Sequence, residues 1–235
     1  MKIIVDAFGG DHAPLEVLKG CERAVKELGV EIILTGNQNI IKKCAEENNI
    51  SLEKTEIFHT EEVFDIHEEP SKIMKTGKNT SLAIGLQQLR DGKGDAFLSA
   101  GSTGALVVGA TMIAKRIKGV KRVALAPVMP SAKGYFMLLD AGANTECRPE
   151  MLSQFGAMGS AYMSNVMGIK NPKVALANIG AEETKGRELE LETYKLLKNS
   201  PVNFVGNIEA RDIPNGDVDV VVADGYTGNM LLKLY

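Results

Sequence analysis

The sequence predicts an α/β fold with a largely parallel sheet covered by helices on both faces. Short β-branched runs alternate with helical patterns along the 235 residues, and this alternation is typical of parallel sheets. Several of the loops that follow these runs are rich in glycine or in small polar residues, as at the carboxyl ends of strands in open α/β sheets. We expect one α/β domain over residues 1–235. Because the helical pattern that starts near Thr227 stops within two turns, we expect this domain to be truncated at its C-terminus.

Each predicted strand is a short apolar run bounded by turn residues. The predicted strands are Lys2–Val5, Glu31–Leu34, Glu56–Phe58, Asp95–Leu98, Arg122–Val128, Gly134–Leu139, Val174–Ala177, Val202–Val205 and Val218–Val222.

The helices are predicted from apolar periodicity and from capping residues. Pro14 opens the first helix, which runs through Leu28, and Asn37 caps a second one to about Asn48. The remaining predicted helices run from 79–81 to about 91, from 101–104 to about 115, from 149 to about 167, and over 185–197. Residues 60–78 are irregular and charged, which indicates an insertion or a mobile arm.

Composition excludes several classes of protein. Apolar residues make up 44% of the chain, the net charge is −3, and no basic run is longer than a pair such as Lys42-Lys43. A general nucleic-acid binder is therefore not indicated. The three cysteines, Cys21, Cys44 and Cys147, include no CxxC pair, so we expect neither a disulfide nor a zinc framework. This cysteine usage predicts a reducing, cytosolic compartment. The apolar run from 105 to 114 is too short to span a bilayer.

Five strand-end loops predict one ligand crevice built from many segments. They are Asp6–Asp11, Ser99–Ala105, Leu139–Asn144, Asn178–Gly186 and Asp224–Asn229. Two of them carry the candidate binding groups. In the second loop, Ser99, Gly101, Ser102, Thr103 and Gly104 combine hydroxyl donors, backbone freedom and a predicted helix N-terminus, which together favour an anion. The same pattern also fits a tight turn with capping residues.

The first loop places Asp6, Gly9, Gly10 and His12 at the end of the first strand. These residues fit the rim of an active site or a turn with side-chain hydrogen bonds. Lys78 belongs to a lysine-rich stretch where an anionic substrate could bind, although charge runs are usually solvated surface.

The other three loops supply candidate catalytic groups. Thr184 is predicted to cap a helix with Lys185 in its first turn, where a cation opposes the helix dipole and so indicates a function. A solvated lysine stabilised by Glu182 or Glu188 fits the pattern equally well. Asp224, Asn229 and Asn144 offer a carboxylate and two amides, which could equally be capping groups. Cys147 is interpreted as a small buried residue rather than a nucleophile.

Together these segments resemble the bacterial phosphate acyltransferase family of phospholipid synthesis. The resemblance rests on seven stretches in the family's order: Asp6–Pro14, Pro70–Ser81, Ser99–Ala105, Leu138–Cys147, Asn178–Gly186, Gly206–Glu209 and Asp224–Asn229. It implies a three-layer α/β/α sandwich with a mostly parallel mixed sheet, as in the isopropylmalate dehydrogenase and phosphotransacetylase group. It also implies a homodimer in the cytoplasm that contacts the membrane peripherally.

The implied reaction converts long-chain acyl-[acyl-carrier-protein] and inorganic phosphate to acyl phosphate and free carrier protein. The acyl phosphate would then serve phosphatidic acid and phospholipid biosynthesis. Lys185, Asn229, Asp224 and Asn144 would be the catalytic residues, and the first two loops with Lys78 would bind substrate. We expect no cofactor, no metal and no nucleic acid.

Two alternatives remain open at this point. One is another enzyme of the same fold, either a phosphotransacetylase-like enzyme acting on acyl-coenzyme A or a dehydrogenase-like protein. A dehydrogenase would need clustered metal-binding carboxylates, for which Asp6, Asp140 and Asp224 are candidates. The other is a non-catalytic module that docks on a carrier protein or a membrane.

Overall fold

The computed structural model describes every residue from Met1 to Tyr235, and these residues form two compact units, Met1–Ile117 and Lys118–Tyr235. Each unit has its own sheet with helices on both faces. The predicted α/β class and the mostly parallel sheets are thus confirmed. That residues 1–235 are a single domain with a truncated C-terminus stays a prediction.

The first unit is built on a four-stranded sheet in which all neighbours are parallel, in the order β3-β2-β1-β4. Its strands are β1 (Lys2–Asp6), β2 (Glu31–Gly36), β3 (Thr55–His59) and β4 (Ala96–Leu98). Its helices are α1 (Leu15–Leu28), α2 (Gln38–Glu47), α3 (Ser81–Arg90) and α4 (Thr103–Gly109), which continues as a π-helix over Ala110–Ala114. A 3-10 helix over Pro70–Met74 interrupts the region that the sequence left irregular.

The two faces of this sheet bury separate cores. Leu18 of α1 and Ile41 of α2 pack with Val5 and Leu34 on one face. Leu86 of α3 and other buried residues form the second core. The predicted helix starts hold, because the Asn37 side chain accepts hydrogen bonds from two backbone N–H groups of α2 and Thr80 caps α3.

The second unit has a five-stranded sheet in the order β5-β6-β9-β7-β8, in which only the β5–β6 pair is antiparallel. Its strands are β5 (Val128–Ser131), β6 (Gly134–Leu139), β7 (Lys173–Ala177), β8 (Asn203–Ile208) and β9 (Val220–Val222). Its helices are α5 (Pro149–Asn165), α6 (Glu188–Lys198) and α7 (Gly225–Leu234), with a 3-10 helix over Ala210–Asn215. Helices α5 and α6 cover one face, while the 3-10 helix and Leu231 of α7 pack on the other.

The predicted strand Arg122–Val128 is wrong for most of its length, since β5 begins only at Val128. The backbone of this segment bonds partly to β6, where the carbonyl of Pro127 accepts from the N–H of Leu138, and partly to the loop that follows β6. The N–H of Leu125 donates to the Asp140 carboxylate at 2.8 Å, and the carbonyl of Val123 accepts from the Asn144 amide at 2.8 Å. Pro127 has no N–H to offer to a ladder.

The Asp140 carboxylate organises the loop after β6. The side chain is fully buried, with 0% of its surface exposed. Its oxygens accept from the backbone N–H groups of Leu125, Gly142, Ala143 and Asn144 and from the Asn144 side chain, over 2.6–3.2 Å. A buried charge is tolerated only with such a full set of donors, so this carboxylate is a structural group.

We predict that Asp140→Ala lowers the free energy of unfolding by about 3 kcal/mol or more, because it leaves several buried N–H groups without an acceptor. Urea denaturation followed by circular dichroism measures this change. The matched control is Asp217→Ala, which removes an exposed carboxylate paired with Lys133 and is expected to cost less than about 1 kcal/mol. Equal losses for the two variants would contradict the structural role of Asp140.

Candidate functional site

In the first unit, the loops after β1 and β4 are joined by a hydrogen bond between two side chains. Ser99 Oγ donates to Asp6 Oδ2 at 2.8 Å and accepts from the N–H of Gly101 at 3.1 Å. Asp6 is buried, and its other oxygen accepts from the N–H of Phe8. Because β1 and β4 are adjacent and parallel, their carboxyl ends bring these two predicted loops together.

Glycine is required where the two loops touch. A Cβ at Gly9 would lie 2.6 Å from Ser99 Oγ and 2.8 Å from the N of Gly101, which is closer than a Cβ atom approaches a non-bonded neighbour. A Cβ at Gly101 would lie 3.3 Å from Ser99 Oγ and 3.4 Å from the Cα of Gly9. Because Gly9, Gly10, Gly101 and Gly104 carry no side chain, the backbone of this cradle (the residues 6–10 and 99–104) can approach a ligand closely at these positions.

The N-terminus of α4 completes the cradle. Ser102 Oγ accepts from the N–H of Ala105 at 3.3 Å, as an N-cap does, but the N–H groups of Ser102, Thr103 and Gly104 have no protein acceptor. Unpaired N–H groups at a helix start bind anions. Gly104 also has a packing role, since a Cβ there would lie 2.6 Å from the Pro70 ring.

The other predicted binding residues of the first unit lie apart from these contacts. His12 is exposed at the edge of the cradle, and its ring has no hydrogen-bond partner in the protein. The Lys78 ammonium is also exposed and unpaired, and the structure shows no contact between it and the cradle. The structure does not test the predicted roles of either residue.

In the second unit, Asp224 caps α7 and is held by an arginine that the sequence reasoning missed. Asp224 Oδ1 accepts from the N–H of Thr227 at 2.7 Å, and Arg187 Nη2 donates to Asp224 Oδ2 at 2.5 Å. The same guanidinium bonds the Glu190 carboxylate, and both carboxylates are buried. These hydrogen bonds and charges raise the pKa of Arg187 above its usual range. The spacing of Arg187 and Glu190, three residues apart, was the available signal.

The predicted starts of α6 and α7 are corrected by these contacts. Helix α6 begins at Glu188, where Glu190 accepts from the backbone N–H of Arg187, so Thr184 is not its cap and Lys185 does not oppose its dipole. Gly186, at φ +100°, separates Lys185 from the helix. Helix α7 begins at Gly225 rather than Thr227, and Asp224 already satisfies the N–H of Thr227. The backbone N–H groups of Thr227 and Gly228 are therefore used within the protein.

Lys185 and Asn229 nevertheless keep free polar groups. Lys185 is exposed, and its ammonium has no acceptor in the protein. Asn229 is half-buried in the second turn of α7, close to Gly142, and its amide makes no hydrogen bond. Helix α7 and the loop after β6 approach each other closely at Gly228, where a Cβ would lie 1.8 Å from the Asp140 carbonyl oxygen. Free polar groups beside glycine backbone are typical of a binding site.

Asn144 and Cys147 are engaged differently. The Asn144 amide donates to the Val123 carbonyl and to Asp140, so its two N–H bonds hold the loop. Cys147 Sγ donates to the carbonyl of Asn144 at 3.4 Å, and burial raises the pKa of this thiol to about 11. At neutral pH the sulfur is therefore protonated and a poor nucleophile.

The three carboxylates considered as metal ligands also have other partners. Asp140 is saturated by N–H donors, Asp224 by Thr227 and Arg187, and Asp6 bonds Ser99 and Phe8. No group of three or more His, Cys, Asp or Glu side chains is arranged to hold a metal ion.

Comparisons with known proteins identify the family. A family model described as "Fatty acid synthesis protein" matches residues 1–235. A phosphate acyltransferase of Alkaliphilus oremlandii is 49% identical over 234 residues, and one of Clostridium botulinum (strain Langeland) is 50% identical over 236 residues. Each match covers 100% of this chain and 70% of the relative.

Solved structures support the same fold. A phosphotransacetylase from Streptococcus pyogenes aligns with a TM-score of 0.75 at 18% identity, covering 100% of this chain and 80% of that one. The EutD phosphotransacetylase from Staphylococcus aureus aligns at 0.73 and 19% identity, covering 100% of this chain and 81% of that one. The phosphotransacetylase-like fold that the resemblance implies is thus confirmed. On the sequence matches, the chain belongs to the phosphate acyltransferase family and is an acyltransferase of lipid synthesis.

Proposed function

We propose that this chain transfers a long-chain acyl group from acyl-[acyl-carrier-protein] to inorganic phosphate, releasing acyl phosphate and free carrier protein. The observation that carries the proposal is the cradle, where three unpaired N–H groups lie beside the linked Asp6–Ser99 pair. Family membership supplies the class of reaction. The acyl-coenzyme A alternative shares this chemistry and differs only in what carries the thioester.

The cradle is proposed to hold the phosphate. The N–H groups of Ser102, Thr103 and Gly104 are donors without a cationic charge, and the Ser102 and Thr103 hydroxyls can add two more bonds. Gly9, Gly10 and Gly101 leave the backbone open, while Asp6 fixes Ser99. His12 and Lys78 are proposed as additional anion-binding groups, because both are exposed and unpaired.

Lys185 and Asn229 are proposed as the catalytic groups of the second unit. A free ammonium stabilises the negative charge on phosphate. Only in its neutral amine form would the same group accept the proton that phosphate loses. A free amide stabilises the oxyanion of the tetrahedral intermediate. Asp224 is proposed to act through α7, whose start it caps, and Asn144 through the loop that it holds next to Asp140.

In this mechanism phosphate is itself the nucleophile. One phosphate oxygen forms a bond to the thioester carbonyl carbon, the carbonyl oxygen becomes an oxyanion, and the C–S bond then breaks. The thiolate leaves with the electron pair and is a good leaving group, so little acid assistance is needed. No covalent enzyme intermediate forms, which agrees with the protonated Cys147.

We further propose a cytoplasmic homodimer that touches the membrane peripherally, as the family resemblance implies. No helix in the structure has the length and apolar character needed to cross a bilayer. Peripheral contact would let acyl phosphate pass to a membrane enzyme.

The deciding experiment incubates the purified chain with palmitoyl-[acyl-carrier-protein], with and without inorganic phosphate. We expect palmitoyl phosphate, detected by mass spectrometry, only when phosphate is present. Palmitoyl-coenzyme A serves as the competing donor. A clear preference for coenzyme A would support the alternative enzyme, and carrier-protein binding without acyl release would support a docking module.

Lys185→Ala is predicted to lower turnover by about 100-fold or more, because it removes the charge proposed to act on phosphate. The melting temperature should stay unchanged, since the ammonium contacts no protein group. Steady-state kinetics and thermal denaturation measure the two effects. Lys170→Ala, at another exposed unpaired lysine, is the control and should keep full turnover. Wild-type turnover in Lys185→Ala would remove this residue from the site.

Cys147→Ser is predicted to keep most of the turnover, because a thiol with a pKa of about 11 is protonated at the working pH. The serine hydroxyl can also donate to the Asn144 carbonyl as the thiol does. Kinetics and circular dichroism of the variant provide the check. Loss of all activity in a folded Cys147→Ser protein would argue for a covalent route.

A further inference from the structure

The first unit contains an apolar groove that the cradle chemistry does not use. The groove has a volume of about 580 Å³ and lies among α1, β1, the start of β2 and the end of β4. Its walls include Ile3 and Val5 of β1 and Val17 of α1. Three large side chains on its rim are mostly exposed, with Met1 at 77%, Leu28 at 73% and Leu98 at 61%.

One end of the groove is the cradle itself. Asp6, Gly9, Gly10 and Ser99 line both, while Met1, Leu28 and Val30 lie near the opposite end of β1. Cys21 adds an uncharged wall, because burial raises the pKa of its thiol to about 11. The groove therefore has polar loops at one end and an apolar strand and helix along its length. This distribution matches an alkyl chain that carries a polar, reactive group at one end.

Gly20 provides an independent observation. It lies in the middle of α1, where glycine destabilises a helix relative to alanine. Its φ is not positive, and a Cβ built on it meets nothing within 4 Å. No contact within the described chain thus requires glycine here. Because Gly20 and its helical neighbour Ala24 both line the groove, their small size keeps it open.

We propose that this groove binds the alkyl chain of the acyl substrate, with the thioester end at the cradle. The inference rests on the proposed function for the identity of the ligand. It adds the part of the site that would determine which chain lengths the enzyme accepts. An apolar pocket with a few polar groups at one end is the usual form of a site for such ligands. A larger side chain at residue 20 would fill part of the groove and so shorten the alkyl chain that the groove accepts.

The test compares Gly20→Leu with the matched control Gly20→Ala. Leucine is a good helix former and its Cβ has room, so α1 should fold in both variants, as circular dichroism will check. With palmitoyl-[acyl-carrier-protein], Gly20→Leu should lower kcat/KM by about 10-fold or more, the scale on which apolar pockets discriminate. With butyryl-[acyl-carrier-protein] it should change little, and Gly20→Ala should change little with either donor.

A second readout does not need the reaction. Binding of the fluorescent long-chain fatty acid cis-parinaric acid should be weakened in Gly20→Leu and kept in Gly20→Ala. If wild type forms no acyl phosphate from any donor, the proposed function fails, and the fluorescence titration still decides whether the groove binds an alkyl chain. Equal kinetic effects on both donors with unchanged fluorescence would overturn the inference. A change of oligomeric state in Gly20→Leu, measured by light scattering, with unchanged chain-length preference would instead assign the groove to a second copy of the chain.

Discussion

The buried carboxylate of Asp140 is the constraint on which the second unit's candidate site depends. It gathers backbone N–H groups from its own loop and from Leu125, and it binds the Asn144 side chain. This arrangement keeps residues 123–125 out of the sheet and shapes the backbone on which α7 packs through Gly228. The position of Asn229 follows, because it is the next residue of that helix. The buried Asp140 carboxylate thus fixes the loop after β6, and through that loop the start of α7 and the free amide of Asn229.

A second network, in which the exposed Arg187 joins two buried carboxylates, stabilises the same helix by a different route. Asp224 and Glu190 are both buried, and burying either carboxylate alone would be costly. The shared guanidinium offsets that cost and links the start of α6 to the start of α7. Because Arg187 is committed to two carboxylates, the free cation of this loop is Lys185. The structure thus separates the two basic residues into one that holds the fold and one available to a ligand.

Local sequence signals predicted most elements, since caps and apolar runs act over a few residues. Asn37, Thr80 and Pro149 mark helix starts that the structure confirms. The two failures have different causes. Arg122–Pro127 is predicted as a strand because no local pattern shows that the N–H of Leu125 donates to the distant Asp140 carboxylate. Thr184 is predicted as a cap because threonine is a common N-cap, whereas Gly186 and the contact between Arg187 and Glu190 start the helix later.

The candidate site was predictable to a similar extent. The strand-end loops of the first unit do meet, since adjacent parallel strands bring their carboxyl ends together whatever the side chains are. Side-chain availability was not predictable, because it depends on which donors the fold has already used. Asn144 and Asn229 look equivalent as sequence, yet one amide holds a loop and the other is free.

The nature of the donors in the cradle bears on the chemistry. Each cation that binds phosphate neutralises part of its charge and lowers its nucleophilicity, so the neutral donors of the cradle differ in effect from the proposed Lys185. The unpaired donors of the cradle are the backbone N–H groups of Ser102, Thr103 and Gly104. Such neutral donors position an anion while leaving most of its charge in place. Under the proposed function, binding through the backbone would also account for the glycine and small residues of the cradle, since larger side chains would separate a phosphate from the N–H groups.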